Sequence, residues 1–171
     1  MLLRMSSRLA ALFARPLGWW RRLSSQGQDR LVGLTLALPT GLVLAIARWL
    51  TPAIEGVGTH KQLGLGGCTV LTLTGYPCPM CGMTTTFTHL AHLEPLAALA
   101  TQPFGVVLFS ATVVIFSIAT ADLIAPAGRW RRAMGWLERR EGWMAGGLLA
   151  GLALGWIYKL SVMQGWLTIA V

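Results

Sequence analysis

The chain has 171 residues, of which 54% are hydrophobic and 12% are charged, and its mean hydropathy is +0.61. These values exclude an ordinary soluble globular domain and predict a multi-pass membrane protein. The formal net charge of +8 would also suit a nucleic-acid-binding protein. However, the arginines cluster beside apolar runs and alternate with tryptophans, which favours contact with anionic membrane lipids. We therefore expect no nucleic-acid partner.

Residues 1–30 form a basic N-terminal segment in which arginines recur among apolar residues until Pro16 interrupts the pattern. The pattern predicts an amphipathic helix on the inner leaflet, followed by tryptophans and arginines at headgroup level. A cleaved signal peptide is the alternative, which the interspersed arginines and the lack of a small-residue cleavage site disfavour. The arginines expected to contact lipid are Arg4, Arg8, Arg15, Arg21 and Arg22, and further along the chain Arg131 and Arg132.

Residues 31–171 are expected to form a single helical membrane domain. Three apolar runs approach the ~20 residues needed to cross a ~30 Å hydrocarbon core. The predicted spans are residues 31–50, 104–124 and 143–164. Two arginine-rich blocks flank these spans on one side, so the positive-inside rule makes that side and the N-terminus cytoplasmic and puts residues 51–103 outside. The predicted fold is all-α, an integral protein of the inner (cytoplasmic) membrane.

A fourth span over Cys81–Thr101 is the competing topology. It would move the arginines of residues 126–142 to the outer side and bury three ionisable side chains in hydrocarbon, where each is costly. We therefore expect residues 81–100 to form a helix at the outer interface or folded between the spans. At 100° per residue, one face of that helix carries Cys81, Thr84, Thr85, Thr88 and His92.

The stretch Leu-Thr-Gly-Tyr-Pro-Cys-Pro-Met-Cys-Gly-Met-Thr at residues 73–84 indicates a turn with one fixed backbone path. Its cysteines have three open interpretations, of which a structural role is favoured: prolines fix the backbone, glycines allow close approach, and the thiols pack or form a disulfide. The second is thiol redox, with Cys78 attacking and Cys81 resolving in an oxidising compartment. The thiols named for either role are Cys68, Cys78 and Cys81.

The third interpretation is a metal site, for which zinc is the ion considered. A continuous helix separates Cys81 from His89 by about 12 Å along its axis, so these two cannot share an ion. A site formed by Cys78, Cys81 and His60, with Cys68 as a further donor, avoids this objection but requires a long loop to fold back.

At these residues the chain resembles a bacterial membrane-protein family catalogued as domain of unknown function 2752. The likeness rests on Thr-His-Lys-Gln-Leu-Gly-Leu at residues 59–65, Cys68, the CPxCGxT core within residues 73–84, and Gln102-Pro103. It covers about residues 50–125, and a weaker echo follows at residues 155–159. The resemblance implies a small helical membrane protein with the cysteine motif in a reentrant or interfacial segment, and it implies no particular activity or cofactor.

Gly147, Gly151 and Gly155 recur at four-residue spacing in the third predicted span. Such spacing lets another helix backbone approach closely, which favours a protein partner over packing against this chain's own spans. Nothing in the sequence resembles a phosphate loop, a nucleophile triad or a carboxylate pair, so a non-catalytic role is favoured. We expect an accessory or assembly subunit of a larger membrane complex; the alternative is an extracytoplasmic thiol-redox or metal-handling protein.

Overall fold

The computed structural model describes residue 20 and residues 22–166. Most of the predicted N-terminal amphipathic helix, with Arg4, Arg8, Arg15 and Arg21, lies outside these residues. Within the described part every regular element is helical, as the composition predicts. In chain order the elements are α1 Ser25–Trp49, a 3-10 helix Thr59–Leu63, α2 Thr69–Thr74, α3 Met83–Ala91, α4 Pro95–Thr101, α5 Pro103–Ile124, α6 Arg129–Glu138 and α7 Glu141–Met163.

The helices α1, α5 and α7 are long and apolar enough to cross a membrane, which confirms the three predicted spans. The first span begins earlier than predicted because the Ser24 hydroxyl caps α1 by accepting a hydrogen bond from the Gly27 amide at 3.1 Å. This helix start lies within residues 1–30, and the division of the chain at residue 30 stays a prediction.

The first two spans pack against each other at a glycine. A Cβ atom added at Gly33 of α1 would lie 2.7 Å from the Ala119 carbonyl oxygen of α5 and 3.0 Å from the Leu123 amide nitrogen. Only glycine permits this approach of the two backbones. Gly33 of α1 thus makes a close backbone-to-backbone contact with α5, whereas the sequence pattern indicated only the glycines of α7.

Charged side chains join the elements at one end of the bundle. Arg131 of α6 donates to Asp29 of α1 at 2.9 Å, and Arg129 donates to the buried Asp122 of α5 at 3.1 Å. The backbone amide of Trp130 also donates to Asp122, at 2.8 Å. This end carries the arginine-rich helix α6, which the sequence analysis treated only as a basic block. Residues 51–102 lie at the opposite end, where α1 finishes and α5 begins.

The single helix expected over residues 81–100 is wrong in its extent. Helix α3 begins at Met83 and ends at Ala91, and α4 begins only at Pro95. Between them Leu93 adopts a φ of +64°. The break has a local cause, since proline cannot donate a helical hydrogen bond and disfavours helical geometry in the residue before it.

Candidate functional site: a three-cysteine cluster

The Cys-Pro-Met-Cys turn directly precedes α3. The amide of Cys81 donates to the Cys78 carbonyl at 2.9 Å, and the amide of Cys78 approaches the Cys81 sulfur at 3.3 Å. Gly82 follows with a φ of +89°, a left-handed conformation that glycine adopts without strain. The turn therefore holds the Cys78 and Cys81 Sγ atoms 3.4 Å apart.

Cys68 brings a third thiol to the same place. It is the N-cap residue of α2, the short helix that leads toward the turn. The Sγ atoms of Cys68, Cys78 and Cys81 all lie within 4.8 Å of one another, and all three cysteines are free. The three thiols are therefore close enough to bind one metal ion, as the sequence analysis considered for zinc.

A cavity of about 460 Å³ opens onto the cluster. Its wall includes all three cysteines, Met80, His60 and Lys61, and no aspartate or glutamate of the described residues lines it. Hard cations such as Mg²⁺ and Ca²⁺ prefer carboxylate and carbonyl oxygen, whereas thiolates and thioethers favour softer ions. The donors that face this cavity are thus suited to soft or borderline metals.

His60 lies on the wall of this cavity but outside the tight group of three sulfurs. Its Nε2 atom is 3.2 Å from the Gly66 carbonyl oxygen. Because a carbonyl only accepts, this bond requires the proton on Nε2 and leaves the Nδ1 lone pair free in the neutral ring. His60 therefore keeps one nitrogen available, in the arrangement that metal-binding histidines commonly adopt.

The other two histidines serve different contacts, as the helical-rise argument predicts. His89 Nδ1 pairs with Glu94 at 2.6 Å, and His92 Nε2 contacts the Leu50 carbonyl at 3.0 Å. Neither residue lines the cysteine cavity. His89 connects the end of α3 to the residue before α4, and His92 connects the same segment to the end of α1.

The thiols have unlike environments. The pKa of Cys68 is lowered to about 7, mainly because the Leu71 backbone amide in the first turn of α2 favours the thiolate. Burial is the main reason that the pKa of Cys81 is raised to about 12, and its thiol neighbours add to the effect. Cys68 is therefore the thiol that ionises readily near neutral pH, so the attacking role that spacing assigned to Cys78 has a second candidate.

Side chains near the end of α7 donate hydrogen bonds to the cysteine turn and to neighbouring segments. The Trp156 indole donates to the Pro77 carbonyl at 2.8 Å, directly before Cys78. The Tyr158 hydroxyl donates to the Ala100 carbonyl at 2.8 Å. Lys159, only 3% exposed, donates to the carbonyls of Gly56 and Thr101. The sequence pattern did not indicate these roles; a lysine within an apolar span was the available signal.

The predicted glycine groove of α7 is divided. Cβ atoms added at Gly151 and Gly155 would lie 2.5 Å and 2.9 Å from Phe104 atoms, so these two glycines pack against α5. Among the described residues, no such neighbour lies within 4 Å at Gly147. Only the Gly147 end of the groove is left open toward a partner or lipid.

The predicted lipid-contacting arginines that the structure describes also differ from one another. Arg22 and Arg132 are exposed. Arg131 is also exposed, but its guanidinium forms the ion pair with Asp29. A purely lipid-binding role therefore remains a prediction for Arg22 and Arg132, whereas Arg131 also joins α6 to α1.

The fold and the site together define a helical membrane protein with a three-thiol cluster at one end of its bundle. The model of the family described as "Protein of unknown function (DUF2752)" matches residues 68–116, which confirms the resemblance found in the sequence. The match begins at Cys68 and contains all three cysteines, α3, α4 and the first part of α5. No curated protein and no solved structure matches the chain.

Proposed function

We propose that this protein binds a soft or borderline metal ion, with zinc as the reference ion, through Cys68, Cys78 and Cys81. The observation that carries the proposal is the mutual approach of the three Sγ atoms within 4.8 Å. With Zn–S bonds of about 2.3 Å, tetrahedral ligation sets the sulfur–sulfur separation near 3.8 Å. Small side-chain movements therefore suffice for ligation, in which the three thiols release three protons.

His60 is the fourth donor that this proposal favours. Its Nδ1 lone pair is free because Nε2 donates to the Gly66 carbonyl, and its ring lines the same cavity. Movement of the 3-10 helix Thr59–Leu63, which carries His60, toward the sulfurs would complete a Cys₃His site, a common set for zinc. Following the positive-inside rule, we place the site on the outer side of the cytoplasmic membrane, which makes the protein an extracytoplasmic metal-handling protein.

A metal titration tests the proposal. Protein purified in detergent, reduced and stripped of metal should bind one Co²⁺ per chain, with sulfur-to-cobalt charge-transfer absorption, and Zn²⁺ should displace it. Serine at Cys68, Cys78 or Cys81 should abolish that absorption. Thr84→Ser is the matched control, because Thr84 lines the same cavity without supplying a sulfur. Failure of the reduced wild-type protein to bind Co²⁺, Zn²⁺ or Cu⁺ would sink the proposal.

Thiol redox is the second candidate, favoured by the 3.4 Å contact between the Cys78 and Cys81 sulfurs and by the lowered pKa of Cys68. Metal binding is preferred because all three sulfurs converge, whereas a dithiol–disulfide pair needs only two. If the protein purified without reductant contains a Cys78–Cys81 disulfide, and the reduced form binds no metal, redox chemistry takes precedence.

An accessory role in a larger membrane complex is compatible with either chemistry. The open Gly147 end of the α7 groove supports it, since no atom of the neighbouring helices occupies that position. Purification from native membranes in a mild detergent would reveal a stoichiometric partner subunit.

A further inference from the structure

Lys159, near the end of α7, is a buried lysine. Its side chain is 3% exposed, and its Nζ donates to the Gly56 carbonyl at 3.1 Å and to the Thr101 carbonyl at 3.2 Å. Within the part of the chain that the structure describes, no carboxylate forms an ion pair with it. A buried charge that lacks a counter-charge is costly, and within membrane spans such groups are paired or functional.

The Lys159 side chain lies close to the cysteine turn. A Cβ atom added at Gly82, the residue after Cys81, would lie 3.2 Å from the Lys159 Nζ and 3.3 Å from its Cε. Gly82 also lines the cysteine cavity. The Lys159 ammonium thus lies close to the backbone of the residue that follows the buried Cys81.

The charge of the proposed metal centre matches this position. Three thiolates and one Zn²⁺ give a net charge of −1, and a neutral His60 would not change it. Three thiolates and one Cu⁺ give −2. We infer that the Lys159 ammonium is the fixed counter-charge of an anionic metal–thiolate centre formed by Cys68, Cys78 and Cys81, and that it favours metals whose trithiolate complexes are anionic. This inference rests on the proposed function.

The counter-charge role predicts a difference between two ligands of one cluster. Arsenite forms As(SR)₃ with three thiols and releases three water molecules, so its complex is neutral. Lys159 stabilises the anionic zinc complex and leaves the neutral arsenic complex almost unaffected. Loss of the positive charge should therefore weaken zinc binding and spare arsenite binding.

The test compares Lys159→Met, which removes the charge, with Lys159→Arg, which keeps it. In Lys159→Met the Kd for Zn²⁺ should rise 10–100-fold, the range usual for groups that support metal ligands, while the Kd for arsenite stays within about twofold. Lys159→Arg should retain the wild-type ratio of the two constants. If Lys159→Met cannot be purified folded, Lys159→Gln keeps an N–H donor for the two carbonyls and permits the same comparison.

Two results would overturn this inference. Equal losses of zinc and arsenite binding in the neutral variants would show that Lys159 only stabilises the fold. Unchanged zinc binding would show that the charge of Lys159 does not affect the metal centre. Arsenite binding without any zinc or copper binding in the wild-type protein would instead overturn the proposed function, while confirming that the three thiols converge.

Discussion

At the scale of single residues, the cysteines differ in ways that their spacing does not reveal. The CPxC spacing pairs Cys78 with Cys81, and this pair could be predicted from the sequence. The position of Cys68 depends on the short helix α2 folding back toward the turn, which no local pattern specifies. For the same reason the sequence predicted His60 as a metal ligand together with the cysteines, although it lies outside the sulfur cluster.

The reactivity of Cys68 toward iodoacetamide should depend on pH near neutrality. Its pKa is lowered to about 7, so its thiolate forms as the pH rises through 7 and the alkylation rate should then level off. Cys81, with its pKa raised to about 12, stays a neutral thiol and should react slowly between about pH 5 and pH 9. Mass spectrometry of the metal-free, reduced protein measures both rates.

Cys68→Ser provides the control for this experiment, because it should remove the fast reaction without shifting the pH profile to another site. Rapid labelling of Cys81 at neutral pH would contradict the burial that the structure assigns to its thiol.

At the scale of helices, hydropathy was sufficient to locate the three spans, since a membrane-crossing helix must be long and apolar. The contacts between the spans were harder to predict from the sequence. Glycine spacing in α7 indicated a groove, yet it could not show that Phe104 fills part of it or that Gly33 of α1 lies against the backbone of α5. Such details depend on which helix faces meet, and α5, which is apolar over most of its length, has no hydrophobic periodicity that distinguishes its faces.

The same substitution should have opposite effects at two helical glycines. Gly33→Ala forces a methyl group against the α5 backbone and should destabilise the protein by about 1–3 kcal/mol, as overpacking does. Gly147→Ala adds a methyl group in open space and should be neutral or stabilising by up to about 1 kcal/mol, because glycine weakens helices. The free energy of unfolding in mixed detergent micelles measures both changes.

This pair is internally controlled, since each variant differs from the wild type by one methylene group in a spanning helix. Equal destabilisation by the two substitutions would mean that Gly147 is also packed against a neighbour, for example a partner helix that remains bound in the micelle.

At the scale of the whole molecule, the bundle has its arginine–aspartate ion pairs at one end and its thiols at the other. The Asp29–Arg131 and Asp122–Arg129 ion pairs hold one end together, and residues 51–102 with the cysteine cluster occupy the other. Composition and charge could predict this polarity, because arginine blocks and the intervening segment alternate along the chain. They could not predict that α7 completes the cysteine end, since its contacts are made to backbone carbonyls rather than to a recognisable motif.

Thiol labelling of intact cells checks which side each end faces. After mild reduction, a membrane-impermeant maleimide should modify Cys68 or Cys78 from outside. The matched control is a cysteine-free variant carrying Gly135→Cys in α6, which should react only after permeabilisation. The opposite pattern would invert the predicted topology and place the thiol cluster in the cytoplasm.

The contacts of Trp156, Tyr158 and Lys159 with the segment before them also impose an order on biogenesis. The cysteine turn and α5 are synthesised before α7, the helix whose side chains donate hydrogen bonds to the segment that contains the turn. Until α7 docks, the Pro77, Ala100 and Thr101 carbonyls lack these side-chain donors and the buried ammonium is not in place. The thiol cluster therefore exists for a time without the contacts from α7. Because α7 is the last of the three spanning helices, the site is completed only when their membrane insertion is completed.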